Sequence, residues 1–80
     1  MARHEVVAPM AGAVVLVDVA PGTIVDAGST LVVLESMKMQ HPVVAPVRGR
    51  VHAVGVVVGD QVAEGQAIAT VDEEIGRAHV

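Results

Sequence analysis

"VVAPMAGAVVLVDVAPGTIVDAGSTLVVLE" (residues 6–35) and "VVAPVRGRVHAVGVVVGDQVAEGQAIATVD" (residues 43–72) are the same message written twice. The offset is constant, 43 − 6 = 37, and no gap is needed anywhere. Val6, Val7, Ala8, Pro9, Gly12, Val14, Val17, Val19, Gly22, Val25 and Gly28 all recur identically. The changes Leu31/Ile68, Leu34/Val71 and Glu35/Asp72 conserve chemical character. Proline and glycine at matched spacing fix turns, so both halves should trace one path. Each half reads as a strand into Ala-Pro, a turn ending at Gly12 or Gly49, and a longer strand. A turn at Pro21-Gly22 or Gly59-Asp60, a very short strand, a turn at Ala27-Gly28 or Glu64-Gly65 and a last strand complete the unit. No window has convincing helical periodicity, and alternation along "GAVVLVDV" is imperfect. One half alone could not close a core. Two halves face to face predict an all-β fold, a flattened β-barrel or sandwich of two antiparallel four-stranded sheets with pseudo-two-fold symmetry. The expected organisation is a single domain over residues 1–80, with halves 6–35 and 43–72 and a tail, 73–80, that has no counterpart.

Composition narrows the possibilities further. Eighty residues lie near the lower limit for an unaided hydrophobic core. There is no cysteine, which removes disulfides, thiolate metal sites and cysteine nucleophiles and fits a reducing compartment. The chain is 52% hydrophobic without one aromatic residue, so its core must be aliphatic. Valine dominates it, and a branched Cβ suits pleated strands. Lys38 and four arginines face nine acids, a formal charge of −4. Nucleic acid is not an expected partner, because phosphate binding needs clustered positive charge and usually stacking aromatics. Mean hydropathy is +0.60, yet uncharged runs such as Val6 to Val17 are short and broken by Pro9 and Gly12, so no membrane span is expected. "MARHEVV" reads without a secretory signal. The expectation is a cytoplasmic protein.

The symmetry breaks at "SMKMQHP", residues 36–42, which belongs to neither half. Lys38 is the only lysine and lies between two methionines near the reversal that joins the repeats. A hairpin there would put it at an exposed tip. A lone lysine in a turn is commonly a solvated charge, and methionines beside it can be core filler. However, a tight reversal usually recruits Gly, Asn or Asp rather than consecutive long side chains. A surface read by partner proteins is one reason to hold Met37-Lys38-Met39 there.

"ESMKM" (35–39) resembles the Glu-Ala-Met-Lys-Met signature of biotinyl carrier domains. With "APMAG" and "APVRG" before the long strands, the chain resembles the biotinyl/lipoyl attachment family over about residues 5 to 72. The resemblance implies a barrel-sandwich hybrid fold and covalent biotin on Lys38. Ser36 stands where the family most often has alanine, a nearly isosteric departure. It further implies that Glu35, Ser36, Met37 and Met39 shape recognition around the modified lysine, although Asp72, the counterpart of Glu35, makes a structural role equally open there. The implied partners are a biotin protein ligase, a biotin carboxylase and a carboxyltransferase serving an acyl-CoA or pyruvate-type carboxylase. A lysine in water is overwhelmingly protonated at neutral pH, so activation must come from the ligase. A short "VLVDVAPGTIV" segment leaves no room for the protruding thumb that some bacterial acetyl-CoA carboxylase carriers insert.

Two other readings stay open. One is a lipoyl carrier domain of a 2-oxo acid dehydrogenase-type complex, a family that typically has an acidic residue before its lysine and alanine after it. The other is an unmodified β-sandwich interaction module, as in membrane-fusion adaptors, whose halves are separated by a long helical insertion. An independent enzyme is not expected, for want of a nucleophile–base or metal constellation. His4, His41, His52 and His79 lack close metal-ligand spacings. "DEE" at 72–74 reads as a solvated end rather than a paired-carboxylate site.

Overall fold

A computed structural model describes residues 2–74. The eight strands are β1 (Arg3–Val7), β2 (Gly12–Val17), β3 (Ile24–Val25), β4 (Thr30–Ser36), β5 (Met39–Val44), β6 (Gly49–Val54), β7 (Gln61–Val62) and β8 (Ala67–Glu73). They form two four-stranded sheets in the orders β1-β8-β6-β3 and β5-β4-β2-β7, with every pairing antiparallel. Adding 37 to the residue numbers of β1 to β4 carries each strand onto β5 to β8. The same shift carries one sheet onto the other. The halves do not supply one sheet each, however. Both sheets take two strands from each half, so neither half has a sheet of its own.

The turns hold the interleaved halves together. Gly22 N–H donates to the Val51 carbonyl, and its counterpart Gly59 N–H donates to that of Val14, both at 2.8 Å. Gly28 N–H reaches Ala45 and Gly65 N–H reaches Ala8 in the same way. In each pair, a turn of one half closes on the backbone of the other. Thr23 and Asp60 side chains accept from the N–H groups of Ala20 and Val57, organising equivalent turns. The imperfect alternation of "GAVVLVDV" has a local cause. A β-bulge lies between Val14 and Leu16, and its twin lies between Val51 and Ala53. Bulges break the period of two and sharpen twist, which a small closed sandwich needs.

The core repeats the arrangement. Val6, Ala8, Val14, Val25, Leu31, Val32 and Leu34 are buried, as are their counterparts Val43, Ala45, Val51, Val62, Ile68, Ala69 and Val71. Val56 joins them, while its counterpart Val19 is only partly buried. Val51→Ala should cost about 1–3 kcal/mol in urea denaturation, because little can collapse around a removed central side chain. The β2–β3 connection spans residues 18–23, matched one for one by 55–60 between β6 and β7. Nothing is inserted there.

At the end where β1 begins and β8 finishes, each carboxylate of "DEE" meets a basic side chain. Asp72 accepts from Arg3 Nε at 2.7 Å, Glu73 meets His4 Nε2 at 3.0 Å, and Glu74 lies 3.5 Å from Arg48 Nε. Arg48 also pairs with Asp26. Glu74 N–H donates to the Arg48 carbonyl. The tail thus begins as an integral part of β8, and residues 75–80 lie outside the described residues. The Arg3 hydrogen bond holds the Asp72 carboxyl below its ordinary value, and the Arg3 guanidinium is raised in return. Stability from this pair is therefore present above the ordinary carboxylate pKa of about 3.9 and is lost as pH falls through the lower folded value. Arg3→Ala should raise the Asp72 titration midpoint and flatten stability against pH in that window, as followed by carboxyl NMR and acid unfolding.

Candidate functional site

At the opposite end, β4 and β5 form a hairpin whose last pair is Ser36 with Met39, leaving Met37 and Lys38 as a two-residue turn. Their φ angles are 54° and 67°, and they are the only non-glycine residues with positive φ among those described. Positive φ at both central residues marks the type I′ turn that matches strand twist, normally filled by Asn-Gly. A side chain with Cβ there costs on the order of 1–2 kcal/mol per residue. The register of β4 with β5 and β2 fixes the strained turn from both sides. The cost is met by the surrounding sheet, as expected where local strain serves a function.

The result is a presented side chain. Lys38 is exposed and has no ion pair or side-chain hydrogen bond among the described residues. Met37 is 91% exposed and Met39 62%. Glu35 is exposed and Ser36 half-buried, both still on β4. The five residues of "ESMKM" are thus contiguous on the hairpin, with three long side chains projecting at its end.

Pseudo-symmetry supplies an internal comparison. Asp72, the counterpart of Glu35, is bonded to Arg3 and lies 3.7 Å from His52, with Arg50 near enough to depress its pKa. Around Glu35 the equivalent positions are Gln40, Val15 and Ala13. Glu35 accordingly has no cationic partner among the described residues. The same fold position is neutralised at one end and left bare beside Lys38 at the other. Sequence reasoning missed this contrast, which needs the sheet register to be seen.

Two surface depressions among the described residues lie elsewhere. One is lined by Ile24, Arg50, Asp72, Glu73 and Glu74, the other by Ala53, Gly55 and residues 67–70. His41 is on β5 opposite Leu34, and His4 and His52 each face a carboxylate. No group of three metal-ligating side chains occurs among the described residues, and His79 lies outside them. What the hairpin offers chemically is one primary amine on a rigid support, reachable from outside.

Comparison with known proteins agrees with this geometry. The chain matches the biotin/lipoyl family, described as biotin-requiring enzyme, over residues 4–71. A single-chain, multi-domain long-chain acyl-CoA carboxylase is similar in structure, with a TM-score of 0.83 and 36% identity over 92% of this chain. The urea carboxylase of Kluyveromyces lactis is similar with a TM-score of 0.84 and 25% identity over 90% of this chain. The chain spans only 7% and 6% of those two proteins. No curated protein gives a significant match. Repeat, interleaved sheets, hairpin and family match converge: the chain belongs to the biotin/lipoyl attachment family.

Proposed function

We propose that Lys38 is the acceptor of covalent biotin and that the domain carries a carboxyl group between two enzyme sites. The observation that carries this reading is the strained hairpin turn, which presents Lys38 between two exposed methionines in a chain of this family. Biotin protein ligase is the proposed modifying enzyme. The Lys38 Nζ, deprotonated in the ligase site, attacks the acyl carbon of biotinyl-adenylate; an amide bond forms, AMP leaves, and the lysine charge is lost. The exposed residues fit that attachment, since no described element covers the amine. When bound, biotin supplies a ring nitrogen that takes up and gives up carboxyl groups. The chain's own part is mechanical. A rigid eight-stranded support with a single long arm turns delivery between distant sites into a local search at high effective concentration.

The partners proposed are a biotin carboxylase using ATP and bicarbonate, and a carboxyltransferase acting on an acyl-CoA or keto acid. Likeness to acyl-CoA and urea carboxylases supports this class. The domain is proposed to act as a carrier, with catalysis residing in those partners. Incubating biotinylated domain with biotin carboxylase, ATP and labelled bicarbonate should put label on the protein. Biotinylated domain that stays unlabelled with carboxylases of this class would overturn the carrier reading.

A further inference from the structure

We propose that Met37 and Met39 are a peroxide-sensitive pair whose oxidation to sulfoxide closes Lys38 to the enzymes that act on it, an inference that rests on Lys38 being the acyl acceptor. The chain contains no Cys, Trp, Tyr or Phe, so its four methionines are its only sulfur groups and its most readily oxidised side chains. They are not equivalent. Met37 and Met39 are 91% and 62% exposed, whereas Met10 is partly buried. Among the described methionines, oxidant access therefore favours the two residues that flank the lysine.

The reaction needs only a peroxide. A sulfur lone pair attacks one peroxide oxygen, the O–O bond breaks, and an S–O bond forms. Sulfur gives up two electrons, and the departing oxygen leaves as water, or as an alcohol from an organic peroxide, after taking up the proton. The product side chain is polar and chiral where an adaptable apolar one stood.

Geometry makes that local change matter. Residues 37 to 39 are consecutive, and the Ser36–Met39 pair with two positive φ values holds the turn in one shape. An enzyme that encloses the Lys38 amine must cover the neighbouring thioethers as well. The oxidised tip cannot withdraw its sulfoxides without giving up the turn. The fold itself is insulated, because no methionine belongs to the buried core among the described residues. Oxidation thus alters the surface around the acceptor and leaves the support intact.

The test uses unmodified domain treated with dilute hydrogen peroxide and then presented to biotin protein ligase, with oxidation mapped by peptide mass. Met37 and Met39 should oxidise before Met10, and kcat/KM for biotinylation should fall about tenfold as apolar contact is lost. Methionine sulfoxide reductases should restore it, while circular dichroism stays unchanged throughout. A Met37→Leu/Met39→Leu domain, compared with itself before and after peroxide, should change less than about twofold. Should that variant be a poor acceptor outright, rescue by the reductases carries the test alone. Equal rates for oxidised and reduced domain, or failure of the reductases to restore a lost rate, would overturn the inference. Reduced domain that is never biotinylated would instead refute the acceptor reading.

Discussion

Gly49→Ala is expected to destabilise the domain by about 3 kcal/mol or more, the upper end of what overpacking costs. A Cβ added at Gly49 would stand 2.1 Å from the Asp72 carbonyl oxygen and 2.9 Å from its carbon. Both are backbone atoms of β8, a central strand of its sheet, so the clash cannot be relieved by turning a side chain. Relief requires β6 and β8 to part, which would disturb the register from Gly49 to Val54. In a domain this small the loss corresponds to roughly 12–24 °C in Tm. The counterpart Gly12 has a looser approach, 2.7 Å to the Glu35 oxygen, and Gly12→Ala should cost less. Gly55 provides the control. Its nearest contact would be 3.6 Å, to the Ile68 oxygen, and Gly55→Ala should be close to neutral. Thermal and urea unfolding of the three variants should show the largest loss at Gly49, a smaller one at Gly12 and the least at Gly55. A Gly49 variant as stable as the parent would mean the two strands do not approach this closely.

Lys38→Arg should abolish biotin incorporation while leaving unfolding unchanged. The substitution keeps a positive charge on an exposed turn residue, so the fold has no reason to respond. Guanidinium stays protonated and cannot serve as the acyl acceptor. With no other lysine in the chain, no alternative side-chain amine exists. Avidin binding and transfer of label from bicarbonate should both vanish in the variant. Side-chain biotin persisting on the Lys38→Arg protein would remove Lys38 from the proposal.

Much of the fold could be read from proline and glycine. Pro9/Pro46, Gly12/Gly49, Gly22/Gly59 and Gly28/Gly65 set equal turns at equal spacing, so the paired outlines of the halves were legible before any coordinate. Their interleaving was not. Pairing of β1 with β8, unlike the local β4–β5 hairpin, is decided by burial of Leu31, Leu34, Ile68 and Val71 across the whole domain. Local propensity carries no information about such distant choices. The bulges at Val15 and His52 were likewise visible only as a fault in alternation. For the site, the lysine and its neighbours could be picked out by symmetry breaking and by the motif. The backbone strain could not, because Met-Lys is not a sequence that signals positive φ. The bare carboxylate of Glu35 emerges only once Asp72 is seen in the equivalent place with Arg3 beside it.

The proposed role rests on biotin carried by one hairpin residue, Lys38. Intact mass of the domain after incubation with biotin protein ligase, biotin and ATP tests it most directly, with peptide mapping of the product. A single biotinyl increment, located on Lys38, is expected. No increment with an active ligase, an increment elsewhere in the chain, or acceptance of lipoate in place of biotin from the corresponding lipoate ligase would contradict it.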